Sequence, residues 1–399
     1  MPYNYARTRN FLIICIAFLL VFGLGMLYST TAPVYGHTML IKQMAFIFIG
    51  AILCSGISHL DYRFLCKRSG LVLAGAAVFI LPLTLTFLAN KIWPGVHKDI
   101  PIAHVAKGAA RWYKLGPISL QPAEFVKLAI IIYLGSYFQR NARRMGQAKY
   151  EFYKPTLRCG AVLLLVLFTG SLSFTSITVS LVAVIYFIAG VRLRYFILPA
   201  LLLIMGFAII LQVDQNRMDR FKYMFNPEKH QMNKGYQLWN SWLALGSGGL
   251  TGKGFTESRM KNKYLPEAHT DCILSIAGEE LGFIGILFVT FLYISLLLIA
   301  LTIARQSCDI AGTLIASGIG VAFTSHAFIN LGVISGFLPT TGITAPFISY
   351  GGSSMVSGLC AIGILLSINR YSHMENLDTR STGKKKHKTW DGRIPEMES

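Results

Sequence analysis

The most suggestive group of polar side chains stands directly before a long apolar run, in KYLPEAHTDCILSI at residues 263–276. Glu267, His269 and Asp271 lie in this segment, and Asp271 comes immediately before the apolar residues. A carboxylate in this position suits either of two roles: a general base at a membrane surface, or the N-cap of the following helix. The His-x-Asp pair is a weak metal signal because no third ligand has diagnostic spacing, so we predict no metal site.

A second candidate is the pair Glu124 and Lys127 in the apolar segment QPAEFVKLAIIIYLGSYF. Residues three apart share a helix face, so the two side chains can form an ion pair. Charges inside apolar spans are costly and usually face a cavity or a partner. The pair therefore indicates a polar cavity within the membrane. The alternative is an interfacial pair that anchors the helix start, since Pro122 suits the first turn.

Two more polar pairs lie within apolar segments. Glu279 and Glu280 are adjacent in SIAGEELGFIG, so we expect them not to face one site together: one reaches a cavity while the other caps or pairs elsewhere. His326 and Asn330 are four residues apart in SHAFINLG and share a helix face. Such a pair is more often an interhelical hydrogen-bonding contact than a ligand site.

The segment GFLPTTGITAPFISYGGSSMV, residues 336–356, is dense in Gly and Pro at the edge of an apolar region. Irregular backbone at that depth must be buried in protein or line a cavity. Residues 349–354 could offer hydroxyl and N–H donors to an anion at the start of the last helix. The alternative is that its small residues serve only for close helix packing.

Membrane-spanning helices are the elements that must position these side chains. Of the 399 residues, 53% are hydrophobic and only 14% are charged, against about 25% charged in soluble domains. This composition excludes a soluble enzyme, a disordered regulator and a fibrous protein. We predict an all-α, polytopic membrane protein with about ten spans. They lie at residues 11–28, 40–58, 70–89, 122–138, 157–170, 176–190, 195–212, 272–304, 310–334 and 346–368.

One part of this count has an alternative. Residues 157–190 form either two spans or one kinked hairpin, because Gly170 and a Ser/Thr cluster interrupt the apolar pattern.

The distribution of charge predicts the orientation. The chain has 37 Lys+Arg against 18 Asp+Glu, an excess that in a membrane protein indicates cytoplasmic loops before it indicates nucleic acid. The short loops 29–39, 171–175 and 335–345 contain no Lys or Arg, as expected outside the membrane. We predict both termini in the cytoplasm, a transmembrane domain over 1–372, a basic cytoplasmic tail over 373–399, and no nucleic-acid partner.

Two longer outer segments are exceptions to this pattern. Residues 90–121 and about 213–271, the latter between the seventh and eighth spans, also contain Lys and Arg. Long loops are less bound by the charge rule. Positive charge on the outer face indicates either an anionic substrate there or pairing with lipid headgroups.

Four segments together resemble the SEDS family, the membrane proteins of cell shape, elongation, division and sporulation. They are AARWYKLGPISLQPAEFVKL, NKGYQLWNSWLALGSGGLTGKGF, LPEAHTDCILSIAGEELGFIG and NLGVISGFLPTTGITAPFISYGGSS. The resemblance covers residues 10–372, and the order and spacing of the motifs make it specific. LPEAHTD, GEELG and LPTTG resemble the division branch of the family more than the elongation branch.

This resemblance implies a ten-helix peptidoglycan glycosyltransferase in the bacterial cytoplasmic membrane, at the division septum. Such a protein polymerises lipid II, an undecaprenyl-diphosphate-linked disaccharide peptide, outside that membrane. The implied partners are a class B penicillin-binding protein, which is a transpeptidase, and other division proteins. The family's essential Asp matches Asp271. The candidate substrate-binding residues are Arg111, Trp112, Glu124, Lys127, Gln237, Lys253, His269, Glu280, Ser349 and Ser353.

Glycosyl transfer from a lipid diphosphate needs a base for the acceptor hydroxyl and positive charge for the departing phosphates. Asp271 is our candidate base. A divalent cation, Mg²⁺ or Mn²⁺, is optional, and we expect no other cofactor. The candidates for the positive charge are Arg111, Lys114, Lys127, Lys253 and Lys263.

Other readings stay open from the sequence. The family often opens its sixth span with Pro-Asp-x-Gly-Thr, which SLSFTSITVSLV at residues 171–182 lacks, so no role of that acidic residue carries over. A lipid II flippase would need a continuous polar route across the bilayer, to which Glu124 and Lys127 could belong. The remaining alternatives are an elongation polymerase and a non-catalytic division scaffold.

Overall fold

The computed structural model describes residues 5–92, 103–106, 109–116, 118–197, 227–230, 235–262 and 264–382, with a few positions between 199 and 225. Helices dominate this part of the chain. In chain order they are α1 (Tyr5–Tyr35), α2 (Thr38–His59), α3 (Tyr62–Lys67), α4 (Ser69–Ile92), α5 (Pro122–Arg140), α6 (Lys154–Leu167), α7 (Leu172–Ile188), α8 (Tyr236–Gly248), α9 (Ile273–Gln306), α10 (Ile310–Ile334) and α11 (Gly352–Thr382). Short 3-10 turns at Ala142–Arg144 and Pro227–His230 and a π-helical turn at Lys149–Tyr153 complete them.

Six of these helices are long and apolar enough to cross a membrane by themselves: α1, α2, α4, α9, α10 and α11. The chain is therefore a multi-pass membrane protein. Each predicted span other than 195–212 overlaps a described helix, and 195–212 lies mostly outside the described residues. The region 157–190 is two helices, α6 and α7, rather than one kinked hairpin.

The start of the last predicted span differs from the structure. The helix begins at Gly352 and not at 346, because residues 346–351 form an irregular turn. It continues to Thr382, and the division of the chain between 372 and 373 stays a prediction. Residues 383–399, the rest of the predicted tail, lie outside the described part.

The expectation of an all-α fold is wrong for the outer segment 90–121, where a small antiparallel sheet is found. Its strands are β1 (Ala103–Ala106), β2 (Ala109–Leu115) and β3 (Ile118–Leu120), in that order. Tyr113 fixes the sheet to α4: its side chain packs on Leu83, and its hydroxyl donates to the Phe79 carbonyl at 2.8 Å. The sequence of β2, AARWYKL, does not alternate apolar and polar residues, and β1 and β3 have only four and three residues, so the sequence pattern does not reveal them.

Helix α10 lies at the centre of the bundle and packs against α5, α7, α8, α9 and α11. Of the most apolar stretch of α10, 72% is buried within the protein, against 11% for α2, which therefore faces lipid. The polar residues of α10 are thus surrounded by other helices, as intramembrane polar groups require.

Helix α9 is interrupted at Gly282, whose φ of +66° and ψ of −164° lie outside the helical range. Freed backbone groups inside a membrane-spanning helix must be satisfied by the protein itself. The loop 249–254, which follows α8, does this. Its N–H groups at 253 and 254 each donate to α9 carbonyls at 3.0 Å, and its carbonyls at 249 and 250 accept from α9 N–H groups at 2.9 and 3.2 Å.

We expect Gly282→Ala to destabilise the protein. An added methyl group would lie 2.3 Å from the Gly252 nitrogen and 2.5 Å from the Leu250 oxygen, and the positive φ alone costs about 1–3 kcal/mol for a residue with a Cβ. Thermal unfolding of the detergent-solubilised protein measures the effect. Gly246→Ala on α8, where an added methyl has open space, is the matched control and should unfold at or above the parent temperature. Equal unfolding temperatures for the two variants would contradict this account of the interruption.

Candidate functional site

Asp271 lies two residues before Ile273, the first residue of α9, and is half-buried. The N-cap is Cys272, which makes no side-chain capping bond, so the capping role considered for Asp271 is wrong. The loop that follows α10 passes close to the carboxylate. At Gly342 the φ is +69°, and an added methyl group would lie 3.3 Å from Asp271 Oδ2. The loop backbone can therefore approach the carboxylate this closely because residue 342 is a glycine.

The turn that carries Asp271 is held through three consecutive backbone carbonyls. The His269 carbonyl accepts from the Tyr350 N–H at 2.9 Å. The Thr270 carbonyl accepts from the Ser349 hydroxyl at 2.6 Å, and the Asp271 carbonyl accepts from Asn330 Nδ2 at 2.8 Å. Donors from α10 and from the turn before α11 thus fix the backbone beneath the carboxylate.

Gln237 and His269 stand beside this turn. Gln237, on the first turn of α8, donates through Nε2 to the Cys272 sulfur at 3.2 Å. Burial raises the pKa of the Cys272 thiol to about 11, so the thiol is neutral and serves as a weak acceptor. Burial also lowers the pKa of His269, although Glu267 opposes this. The imidazole, which meets the Tyr350 ring edge-on at 6.0 Å, therefore carries less positive charge at neutral pH than an exposed histidine.

The predicted ion pair in α5 is confirmed. Lys127 Nζ lies 2.8 Å from Glu124 Oε2, with side-chain exposures of 10% and 7%. The pair opens on a cleft between α5, α10 and α11. The rest of the cleft wall is formed by Leu128, Ile131, Ile319, Ala322, Phe323, Pro346, Ser354, Ser357, Gly358 and Ala361. A charged pair in a largely apolar recess can hold a polar part of an otherwise apolar molecule.

His326 and Asn330 share a face of α10, as their spacing predicts, and this face lies between the ion pair and the Asp271 turn. The His326 ring packs edge-on against Phe174 at 6.1 Å, and Lys127 Nζ lies 5.6 Å from the centre of the same ring. One turn further along, Asn330 bonds to the backbone of Asp271.

The expectation that Glu279 and Glu280 point to different places is wrong, because both carboxylates bind the loop 253–261. Glu279 accepts from Lys253 Nζ at 2.7 Å and from the Ser258 hydroxyl. Glu280 accepts from Lys261 Nζ at 2.9 Å, and both partners are buried. The loop curls around the helix, so it meets two neighbouring positions of α9. Two candidate substrate-binding residues, Lys253 and Glu280, thus belong to ion pairs within the protein.

The two serines proposed as anion donors are also occupied by protein groups. Ser349 supports the Asp271 turn, and Ser353 accepts from the Gln121 N–H at 2.8 Å and approaches the Ser119 carbonyl at 3.3 Å. Ser353 therefore ties β3 and the start of α5 to the start of α11. Both side chains are buried.

The basic and aromatic candidates of the outer segment lie on β2 and not in the cleft. Arg111 is exposed and donates to the Gly170 carbonyl at 2.8 Å. Trp112 is half-buried and pairs with His104 across the sheet, and Lys114 is exposed. Lys263 lies outside the described residues.

Sequence reasoning missed three contributors to this region: Lys261, Gly342 and Cys272. The LPTTG motif contains Gly342, and its glycine was a signal for close backbone approach. Nothing in the sequence marks Lys261 among the other lysines of its loop. In the part of the chain that the structure describes, no group of three or more His, Cys, Asp or Glu side chains is placed to hold a metal ion.

Together the bundle and the site define a class: a polytopic membrane protein with a fixed carboxylate at the end of the bundle where α9 begins, and a charged cleft between its helices.

Comparison with known proteins gives the family. The family model described as Cell cycle protein, covering FtsW, RodA and SpoVE, matches residues 7–374, and the chain belongs to that family. The resemblance seen in the four motifs is confirmed.

Two curated relatives and one solved structure illustrate the similarity. The probable peptidoglycan glycosyltransferase FtsW of Trichlorobacter lovleyi is 34% identical over 376 residues, covering 92% of this chain and 94% of the relative. Stage V sporulation protein E of Bacillus subtilis is 33% identical over 367 residues, covering 90% and 96%. A chain of a peptidoglycan synthase complex that coordinates polymerization and crosslinking has the same fold, with a TM-score of 0.73 and 24% identity over 94% of this chain and 99% of that one.

The buried pair Lys261–Glu280 gives a prediction about stability. Lys261→Met leaves the Glu280 carboxylate buried without its cation, which typically costs about 3–5 kcal/mol. The double variant Lys261→Met/Glu280→Gln should recover part of that loss. Lys253→Met is the matched control. The Lys253 side chain is 32% exposed against 4% for Lys261. Glu279 also keeps three donors where Glu280 keeps two, so the loss should be smaller. Thermal unfolding of the four proteins checks this, and a Lys261→Met variant as stable as the parent contradicts it.

Proposed function

We propose that this protein is a peptidoglycan glycosyltransferase that polymerises lipid II into glycan strands during cell division. Curated relatives that share about a third of its residues over nearly the whole chain carry that name. The single observation that carries the proposal is the Asp271 turn. Its carboxylate stands where the large loop enters a membrane helix, on a backbone fixed by three hydrogen bonds. A base for surface chemistry on a lipid-linked sugar needs that position and that rigidity.

In the proposed reaction, Asp271 accepts the proton of the acceptor sugar's 4-hydroxyl. The oxygen attacks the anomeric carbon of the growing chain's lipid-linked end. One bond forms from that carbon to the acceptor oxygen, and its bond to the lipid diphosphate breaks. The diphosphate leaves with the electron pair, and the configuration inverts from α to β. One carboxylate suffices because the leaving group needs no protonation, unlike the two carboxylates of most glycosidases.

Positive charge near the departing diphosphate would lower the barrier further. Among the described candidates, Arg111 and Lys114 are exposed on the outer sheet, Lys253 keeps about a third of its side chain exposed, and Lys127 lies in the cleft. We assign Trp112, Gln237 and His269 to contacts with the sugar or its lipid carrier. A divalent cation such as Mg²⁺ or Mn²⁺ would supplement these charges.

We further propose ten spans, with the large outer loop between the seventh and the eighth and both termini in the cytoplasm. The two ends of the chain support this arrangement. The Tyr5 ring stacks on His373 at 4.9 Å, and Arg63, in the short α3, bonds to Glu375. The start of α1 and the later part of α11 therefore lie at one end of the bundle. We assign residues 1–372 to the membrane domain and the basic residues 373–399 to a cytoplasmic tail.

We place the protein in the bacterial cytoplasmic membrane at the septum, with a class B penicillin-binding protein as its crosslinking partner and other division proteins nearby. The shared fold with a chain from a complex that coordinates polymerization and crosslinking supports that partnership. The identity with FtsW relatives favours a division role over an elongation role. A fluorescent fusion that labels the side wall and not midcell would contradict the septal assignment.

We expect Asp271→Asn to lower the rate of lipid II polymerisation by about 10²–10⁴-fold, the usual contribution of a general base. Purified protein, with the partner transpeptidase present, is incubated with lipid II and the polymer is resolved by gel electrophoresis. Glu257→Gln is the matched control, because Glu257 is an exposed carboxylate of the same loop. Polymerisation by Asp271→Asn at the parent rate overturns the assignment. Transbilayer movement of lipid II without polymer would favour a flippase, and neither activity would favour a scaffold.

The ion pair in the cleft yields a second prediction. Lys127→Met leaves the Glu124 carboxylate buried without a cation and should lower both stability and activity. The double variant Glu124→Gln/Lys127→Met removes both charges, so its unfolding temperature should recover. If the pair contributes to the site, polymerisation stays low in this stable double variant. Recovery of parent activity along with stability would show that the pair is only structural.

A further inference from the structure

The Asp271 carboxylate has two backbone walls beside it, the turn 269–271 and the loop 339–345. The buried amide of Asn330 on α10 bridges them. Its Nδ2 donates to the Asp271 carbonyl at 2.8 Å and to the Ile343 carbonyl at 2.6 Å. Asn330 is 1% exposed. A carboxamide nitrogen has two N–H groups, so each of the two carbonyls can accept one of them.

The second bond matters because of what lies next to it. Ile343 directly follows Gly342, whose backbone approaches so closely that an added methyl group would lie 3.3 Å from Asp271 Oδ2. The Ile343 carbonyl therefore sets how near this loop comes to the carboxylate. The first bond sets the backbone of Asp271 itself. The Ser349 hydroxyl makes a second bridge between the two walls, since it donates to the Thr270 carbonyl at 2.6 Å and accepts from the Ala345 N–H at 2.9 Å. Asn330 thus bonds to Asp271 itself and to the residue that follows Gly342, whereas Ser349 bonds to the neighbouring positions Thr270 and Ala345.

We propose that Asn330 is a positioning residue for Asp271, a role that rests on the proposed function of Asp271 as the base. Asn330 touches neither substrate nor reacting atoms in this proposal. It keeps the carboxylate and the 339–345 loop in the close arrangement that the structure shows, which fixes the direction of the carboxylate. Small misplacements of a catalytic group lower the reaction rate strongly. The two hydrogen bonds of Asn330, here called the clamp, therefore affect the chemical step.

Simple space-filling does not account for this amide. Its Oδ1 is buried with no hydrogen-bond partner among the residues that the structure describes, and an unsatisfied buried acceptor lowers stability. An apolar side chain would avoid that cost but would leave two carbonyls without their donor. The amide is therefore explained by its two donated bonds and not by its volume.

The test compares Asn330→Ala and Asn330→Asp with the control Asn240→Ala. Asn330→Asp keeps the shape and, when ionised, has no N–H donor. Asn240 is also a buried amide that donates to a backbone carbonyl, that of Tyr236 at 2.8 Å, but within its own helix α8. Three quantities are measured on the full-length protein in detergent: the unfolding temperature, the hydrogen exchange of segments 268–274 and 340–346, and kcat and KM for lipid II.

Both Asn330 variants should exchange at least tenfold faster in the two segments, and their kcat should fall at least tenfold with KM within twofold of the parent. Asn240→Ala, with a similar loss of unfolding temperature, should show neither change. Unchanged exchange in the two segments overturns the clamp, whatever the activity. A kcat loss no larger than that of Asn240→Ala overturns the positioning role. If the parent makes no polymer, the proposed function fails instead, and hydrogen exchange alone decides whether Asn330 holds the two walls.

Discussion

The interruption of α9 at Gly282 is the constraint on which the surroundings of Asp271 depend. A break in a membrane helix exposes N–H and carbonyl groups that lipid cannot satisfy, and here the loop 249–254 satisfies them with four backbone bonds. These bonds fix the segment that follows α8 onto α9. The adjacent carboxylates of Glu279 and Glu280 then secure its continuation through Lys253 and Lys261. The chain that leads to Asp271 therefore starts from a rigid support.

From that support, the site is completed by parts of the chain that are far apart in sequence. The Asp271 turn takes its backbone bonds from α10 and from the turn before α11, and Gln237 of α8 contacts its neighbour Cys272. Helix α10 packs on most of these elements, and its His326–Asn330 face runs from the charged cleft to the turn. A change in the packing of α10 would therefore be felt at both places, because the two share one rigid element.

The features predictable from the sequence were those with a local cause. Apolar length locates the spans, and a separation of three residues predicts the Glu124–Lys127 pair, since helix geometry alone brings the two side chains together. The sheet of β1–β3 was not predicted because its strands depend on tertiary contacts with α4, such as that of Tyr113. The binding of both Glu279 and Glu280 to the loop 253–261 was not predicted. Their adjacency on a helix does not reveal a loop that curls around that helix. The two hydrogen bonds donated by Asn330 were not predicted either, because Asp271 is remote in sequence and nothing local marks Ile343 as an acceptor.

These contacts also change the meaning of the outer positive charge. The excess of Lys and Arg in the loop before Asp271 suggested cations available for a diphosphate. Two of them, Lys253 and Lys261, instead compensate carboxylates that α9 holds inside the bundle, and Lys261 is buried there. Binding a phosphate at Lys261 would leave Glu280 buried without its cation, at a cost greater than a surface contact returns. Among the described residues, positive charge for the leaving group is therefore better sought at the exposed Arg111 and Lys114 of β2.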